Sequence, residues 1–255
     1  MFYQRQHPAT PDYLHVHHGI NFSFPPHMHE CFEIISLVSG EMHVTVDHRE
    51  YCLHANEIVL IFPHQVHNYS AECGEHYIYV FSPKLIQAYH SKYLDVVPVN
   101  NLFTPHPYLI KALQNLTKEA TLIEKMAALY PLCVSFEKHA SYIPRETAHT
   151  DLLGKIFLFV ENEFQNDCSL TSLADTLGYE YTYLSRFFKN TIGIPFHTYV
   201  NQYRLHQACY IMDNSDQTIL QCALDSGYTN MRSFNRHFFS YYGITPRQYR
   251  QRSEK

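Results

Sequence analysis

Four side chains that could bind a metal or a small polar molecule lie in the first third of the chain: His27, His29, Glu33 and His67. If residues 27–33 form a strand, its period of two places the first three on one face. Imidazole nitrogens with one carboxylate suit Fe, Mn, Ni, Cu or Zn. The same groups can instead hydrogen-bond an effector or one another. Three interpretations therefore stay open: a metal site, a metal-free effector pocket and a structural polar cluster.

A second set of polar side chains lies on two predicted helices in the last third of the chain. Each helix follows a turn in which alanine precedes glycine by four residues, Ala174 to Gly178 and Ala223 to Gly227, at an offset of 49. A small side chain lets two short helices cross closely, and glycine suits the tight turn between them. This spacing predicts two helix-turn-helix units in tandem.

The second helix of each predicted unit turns apolar side chains inward and polar ones outward. Arg, Lys, Asn, Ser and Thr on an exposed helix face can contact base edges in a major groove, and Met can contact a thymine methyl. We expect eight side chains to contact DNA: Thr182, Ser185, Arg186 and Lys189 from the first helix, and Met231, Arg232, Asn235 and Arg236 from the second.

The C-terminal pattern resembles a known family. The sequence A-x3-G-Y, an aromatic-rich helix, G-I-T-P and then Tyr249-Arg250 resembles the DNA-binding region of the AraC/XylS transcription regulators. The chain departs from the family at Glu180, where a capping Ser is usual, and at Tyr181, where Pro or a small residue is common. The resemblance implies a homodimeric transcriptional activator that binds double-stranded DNA and contacts RNA polymerase.

The N-terminal histidines carry a second resemblance. His27-Met-His29, Glu33, Gly40 and the distant His67 are similar to the two cupin motifs, with Phe62 and His64 in place of the usual Pro and Gly. The resemblance implies a sensing domain that binds a small molecule, such as a sugar, without a cofactor. Alternatives are a divalent metal in a cupin enzyme or metal sensor fused to the DNA-binding domain, and an effector-independent DNA-binding scaffold.

The hydrophobic periodicity supplies the elements that would position these residues. It is two from His15 to about Pro83, in short β-branched and aromatic runs separated by turns at 39–40, 47–49, 55–56 and 73–74, which predicts a sandwich or small barrel. It then returns to 3.6, with helices over 84–94, 106–120 and 122–140, the last interrupted at Pro131. We expect an α+β chain: a β-barrel or jelly-roll cupin with trailing helices in residues 1–145, a linker near 145–150, and an all-α domain in residues 150–255.

Composition limits the function further. The 255 residues include no apolar run long enough to span a bilayer and no N-terminal signal pattern, and the seven cysteines form no C-x-x-C motif, so we expect a cytoplasmic protein without membrane contact. No separate nucleophile, phosphate loop or cofactor motif indicates an enzyme. Residues 151–255 hold ten basic and ten acidic residues, so any DNA contact requires the charges to be segregated by sign.

Overall fold

The computed structural model describes residues 10–20, 22–145 and 147–253, and the chain divides into two compact units between Asp151 and Leu152. A helix from Thr147 to Glu163 crosses this division. The linker prediction implied a loop throughout 145–150. The helix begins within this segment, so only part of it is a loop. The predicted domain bounds stay predictions, and their ends at residues 1–9 and 254–255 lie outside the described residues.

The N-terminal unit is rich in antiparallel sheet, as predicted. Its strands in the described residues are β1 (Leu14–Ile20), β2 (Ser23–His27), β3 (Phe32–Val46), β4 (Arg49–His54), β5 (Ile58–Ile61), β6 (His67–Phe81), β7 (Val96–Pro98), β8 (Leu102–Phe103) and β9 (Tyr142–Pro144). Strands β3 and β6 pair along their length at the centre of a seven-stranded sheet, and β7 pairs with β9 separately. All of these pairings are antiparallel.

The two central strands bend where the sequence predicts turns. Gly40 lies opposite Gly74 between two register shifts, and its φ of 81° is one that glycine adopts readily. A Cβ at Gly74 would approach Ser39 O to 3.2 Å. The prediction of separate strands there was wrong, because these glycines bend continuous strands. The bend divides the sheet into one half with β1, β5 and β8 and another with β2 and β4, and among the described residues no pairing of β1 with β8 closes it into a barrel.

Helices cover one face of this sheet. They are α1 (Gln87–Lys92), which follows a 3-10 turn, α2 (Pro107–Gln114) and α3 (Leu122–Glu137). Phe32 and Ile34 of β3 pack with Leu132 and Phe136 of α3 in one apolar core. The alternate residue Glu33 belongs to the opposite, inner face. Helix α3 continues through Pro131, contrary to the predicted interruption, and α2 ends earlier than predicted.

The C-terminal unit is all-α, as predicted. It contains α4 (Thr147–Glu163), α5 (Leu170–Leu177), α6 (Tyr181–Ile192), α7 (Phe196–Asn214), α8 (Ile219–Asp225), α9 (Met231–Tyr242) and α10 (Pro246–Ser253). The pairs α5–α6 and α8–α9 are the two predicted helix-turn-helix units. Over the part of the chain that the structure describes, no helix combines the length and the apolar character that crossing a membrane requires.

Candidate functional site

Helix α6 exposes three of its four side chains that are predicted to contact DNA. Its core side is formed by Leu184, Phe187 and Phe188, which are buried. On the opposite side Thr182, Arg186 and Lys189 are exposed, and Ser185 is half-buried. The spacing of i, i+3, i+4 and i+7 makes these four a continuous stripe along the helix. We name this set the first reading stripe.

Helix α9 repeats the arrangement with one difference. Phe234 and Phe238 are fully buried, while Arg232, Asn235 and Arg236 are exposed. Met231 is only half-exposed and packs against the core of its unit. Phe239, which the sequence reasoning missed, lies at the next position of the stripe and is 57% exposed. The second reading stripe is therefore Arg232, Asn235, Arg236 and Phe239.

Residues of the two reading helices correspond at an offset of 50, which is one more than the offset of 49 between the glycines of the two turns. Both are twelve residues long and end at a left-handed glycine, Gly193 or Gly243. The second turn has one more residue between its glycine and its helix. In this correspondence Thr182 matches Arg232, and Met231 matches Tyr181. The missed Phe239 matches Lys189, so the repeat itself contained the signal once the extra turn residue was counted.

Helix α7 connects the two reading helices. Near its start, Tyr199 packs edge-to-face on Phe188 of α6, with 5.3 Å between ring centroids. In its second half, Ala208 shares a core with Phe234 and Phe238 of α9. The nineteen residues of α7 span about 28 Å. The reading helices therefore pack on different stretches of one rigid element.

Charge is segregated by sign within the C-terminal unit. Helices α6, α9 and α10 carry seven of the ten basic residues that follow position 150 and none of the ten acidic ones. Arg204 Nε donates to Phe164 O at 2.6 Å, and Arg250 Nη2 contacts Cys222 Sγ at 3.3 Å. Arg236 Nη2 lies 3.3 Å from Nε2 of the neighbouring His237. The exposed basic side chains on α6 and α9 are Arg186, Lys189, Arg232 and Arg236.

The four N-terminal candidates come together, although not as the strand parity predicted. His27 ends β2 and lies opposite His67, which begins β6. His29 lies in the loop after β2, and Glu33 lies in β3. The prediction that one strand carries 27, 29 and 33 was wrong, because residues 28–31 turn the chain between two strands. The donor atoms of the four residues nevertheless lie within 4.8 Å of one another.

The three histidine rings are held in one orientation by the backbone. Each Nδ1 hydrogen-bonds a carbonyl two residues away: His27 to Pro25 O at 3.0 Å, His29 to Cys31 O at 3.1 Å and His67 to Gln65 O at 2.9 Å. The Nε2 atoms of His29 and His67 lie 3.0 and 3.3 Å from the same oxygen of Glu33. Outer hydrogen bonds of this kind fix the rings of metal-ligating histidines.

Burial and the contacts with Glu33 determine the electrostatics of this cluster. Glu33 is fully buried, and burial alone would raise its pKa, but the rings of His67 and His29 hold the pKa of this carboxyl well below its usual range. Burial lowers the pKa of His29, although its hydrogen bond to Glu33 opposes this effect. A neutral His29 ring has one N–H for two acceptors, Cys31 O and Glu33. A cation bound at Nε2 would satisfy both contacts.

Three further histidines belong to the same inner face. In the β1–β6 register His15 lies opposite Val80, which itself lies opposite Glu33. The His17 ring is 5.7 Å from the ring of His76 and 4.9 Å from that of Phe22. Among the described residues, Nε2 of His15 and of His76 is buried without a hydrogen-bond partner. Sequence reasoning missed this extension, which the alternation of His15 and His17 in β1 could have indicated.

Comparison with known proteins covers both units. Residues 13–130 match the model of an AraC-like ligand binding domain, and residues 173–252 match that of a helix-turn-helix domain. Over 116 residues, 43% of the chain, it is 32% identical to an uncharacterized HTH-type transcriptional regulator of Staphylococcus aureus (strain COL). Over 106 residues, 42% of the chain, it is 33% identical to the uncharacterized HTH-type transcriptional regulator YtdP of Bacillus subtilis (strain 168). The chain covers only 15% and 14% of the lengths of these relatives.

Solved structures resemble the chain in fold. An apo ToxT variant from Vibrio cholerae strain SCE256 matches with a TM-score of 0.63 at 14% identity, over 93% of this chain and 96% of that one. Wild-type ToxT with a bound unsaturated fatty acid matches with a TM-score of 0.58 at 14% identity, over 93% and 94% of the two chains. The chain belongs to the AraC family, since it joins an AraC-like ligand-binding domain to a helix-turn-helix domain.

Proposed function

We propose that this chain is a sequence-specific, DNA-binding transcription regulator controlled through its N-terminal unit. The observation that carries the proposal is the pair of exposed reading stripes on α6 and α9, two helices without acidic residues. Both helices pack on α7, whose length of about 28 Å approaches one turn of duplex DNA. A connecting helix of this length suits two reading helices in successive major grooves on one face of the DNA.

Each stripe offers side chains that distinguish bases. Arginines 186, 232 and 236 suit O6 and N7 of guanine, Asn235 suits adenine, and Phe239 suits the methyl group of thymine. Thr182, Ser185 and Lys189 supply further hydrogen bonds to bases or phosphates. Since residues 151–255 have no formal net charge, binding depends on the local positive faces and weakens strongly as salt rises.

The test begins with selection of a preferred duplex from a random library with the purified full chain. Specific affinity is then measured by fluorescence anisotropy for the double variant Arg186→Ala/Arg236→Ala. We expect a loss of roughly 2–6 kcal/mol if each arginine reads one base. Lys155→Ala removes an exposed charge from α4, outside both stripes, and serves as the control. Equal affinity of the double variant and the wild type would contradict the proposal.

The effector is proposed to bind on the inner face of the N-terminal sheet. The buried nitrogens of His15 and His76 offer polar contacts there. The ring of Phe22 lies 6.0 Å from that of His76 and 5.7 Å from that of Tyr69. The fatty acid in ToxT makes an amphipathic carboxylic acid a candidate beside the sugar expected from the family resemblance. A thermal-shift screen of sugars, fatty acids and divalent metals compares them, because a ligand of the native state raises its midpoint. A compound that raises the midpoint and also changes the affinity for the operator is the effector. A screen in which no compound raises the midpoint would favour an effector-independent scaffold.

Homodimerisation is proposed to use α3. Its outward face carries Ile123, 79% exposed, and Val134, 49% exposed, with Ala127 between them at helical spacing. An exposed apolar helix face of this kind suits a second copy of itself across a two-fold axis. Sedimentation analysis of the wild type and Ile123→Glu tests the idea: the variant should be monomeric, and a monomeric wild type would contradict it.

Activation through contact with RNA polymerase in the cytoplasm completes the proposal and is tested by transcription in vitro.

The buried cluster supports a second candidate function, metal-dependent sensing. His27, His29, Glu33 and His67 would hold a divalent transition metal, with each Nδ1 on a backbone carbonyl and the Nε2 atoms of His29 and His67 beside the carboxylate. A bound ion would link β2, β3 and β6 and stabilise the unit without turnover. We expect metal at one equivalent per chain after purification without chelator, and its loss in His67→Ala. A metal-free wild type that binds neither Zn²⁺ nor Fe²⁺ in titration would contradict this candidate.

A further inference from the structure

A group of metal-ligating side chains lies on the outward face of the β3–β4 hairpin, apart from the buried cluster. Its members, which we name the hairpin cluster, are Glu41, His43, Cys52 and His54. Cys52 is half-buried, and the other three are exposed. The alternate residues Met42, Val44 and Leu53 are buried and fix the hairpin to the core. A packed hairpin of this kind holds its outward side chains in a defined arrangement.

The strand register brings the four side chains together in pairs. Glu41 lies opposite His54, and His43 lies opposite Cys52. Opposed residues in an antiparallel pair have Cβ atoms about 5 Å apart, and neighbours on one face of a strand are about 7 Å apart. The donor atoms of Glu41, Cys52 and His54 lie within 4.8 Å of one another, and the Cys52 thiol donates to the Glu41 carboxylate. His43 borders this group from the position opposite Cys52.

We propose that the hairpin cluster is a solvent-accessible site for a thiophilic divalent cation, with Zn²⁺ as the representative. One thiolate, two imidazoles and one carboxylate are a tetrahedral zinc set, whereas Mg²⁺ and Ca²⁺ prefer oxygen ligands alone. Binding breaks the S–H bond of Cys52, forms a metal–sulfur bond and releases the proton to solvent. Glu41, which accepts the hydrogen bond of the thiol, is placed to take that proton first.

The hairpin cluster and the buried cluster share no residue, and they differ in access. All four members of the buried cluster are inaccessible or nearly so, whereas three of the four hairpin residues are open to water. The hairpin site can therefore exchange its ion with free metal in solution. Its donor set also contains sulfur, which the buried set lacks, and this difference gives each site its own spectroscopic signal.

The experiment titrates the reduced full chain with Co²⁺, which replaces Zn²⁺ and reports thiolate ligation through a sulfur-to-cobalt charge-transfer band in the near ultraviolet. We expect this band to saturate at one equivalent in the wild type, to be reversed by Zn²⁺ and to disappear in Cys52→Ser. His54→Ala and His43→Ala should each weaken Co²⁺ binding by at least roughly tenfold, since even outer partners of metal ligands are worth about 10–100-fold.

Two matched variants keep the two sites distinct. Cys31→Ser removes the buried cysteine whose carbonyl contacts His29, and His67→Ala removes a member of the buried cluster. Both should retain the charge-transfer band. A band that persists in Cys52→Ser, or no band in wild-type protein whose Cys52 reacts with a thiol reagent, would overturn the proposal. Circular dichroism confirms that each variant is folded, and the outcome is independent of DNA binding.

Discussion

The two helix-turn-helix units have the same helices but different surroundings at their turns. At the first turn, Gly178 has a φ of 71°, and a Cβ added to it would meet nothing within 4 Å. At the second, Gly227 has a φ of 85°, and its Cβ would lie 2.3 Å from Phe164 O. The first glycine is needed only for its backbone conformation. The second is needed for that and for the close approach of the segment after α4.

The tyrosines that follow these glycines show the same contrast. Tyr179 is 41% exposed and stacks on Tyr183, with ring centroids 5.7 Å apart. Tyr228 is 5% exposed and donates its hydroxyl to Asn201 O of α7 at 3.3 Å. The second unit is therefore built into the core of its domain, whereas the turn of the first is open to solvent. A repeated sequence motif fixes the local fold without fixing how firmly each copy is held.

The largest effect that distinguishes the turns is expected from alanine at each glycine. Gly227→Ala should lower the free energy of unfolding by about 3 kcal/mol or more, because the new methyl group forces Phe164 and Arg204 apart in addition to the strained φ. Gly178→Ala should cost only about 1–2 kcal/mol, the cost of the left-handed backbone. Urea unfolding of both variants gives the comparison, and equal losses would show that the close approach at Gly227 is not rigid.

Sequence alone could not separate these turns, because both show the same A-x3-G-Y pattern. The packing of Gly227 depends on Phe164 and Arg204, which are distant in sequence and come together only through the fold. The pattern did predict both units and the exposed side of each reading helix, since the 3.6 period directly reports which side is buried. The pattern did not indicate that Met231, whose DNA contact stays a prediction, faces partly inward at the start of α9.

Residue types predicted the members of the buried cluster, but the sequence pattern gave the wrong local structure for residues 27–33. Histidine, glutamate and the motif spacing identified the four residues, but the period of two required a strand through a segment that turns. The backbone carbonyls of Pro25, Cys31 and Gln65 that hold the rings carry no sequence signal, since every residue has a carbonyl. The grouping of the four residues was therefore predictable, and their local geometry was not.

Matched arginines test whether both units read bases. Arg186 and Arg236 occupy equivalent positions, so each alanine variant should lose about 1–3 kcal/mol of binding at one base pair, in different halves of the operator. Anisotropy against operators with single base changes measures this loss. A uniform loss across all sequences would make that arginine a phosphate contact. If only Arg236→Ala relaxes specificity, the first unit positions the protein on the DNA and the second unit recognises the bases.

The last members of the stripes differ in chemistry and predict different salt dependence. Lys189→Ala should reduce the slope of log affinity against log salt by about 0.9, because one phosphate contact and its counterion release are lost. Phe239→Ala should leave the slope unchanged and lower affinity for a site with thymine at the contacted position. Titrations at several salt concentrations give both slopes. An unchanged slope in Lys189→Ala would place this side chain away from the backbone of the DNA.

The smallest difference concerns the residues that begin the reading helices. Asn230 precedes α9, and its side chain accepts a hydrogen bond from Ser233 N at 2.8 Å. Glu180 precedes α6 and makes no capping hydrogen bond through its side chain. Asn230→Ala should therefore cost about 1 kcal/mol of stability, and Glu180→Ala close to nothing. Urea unfolding measures both. A comparable loss in Glu180→Ala would mean that its carboxylate stabilises α6 through the helix dipole instead, and this loss should then disappear at high salt.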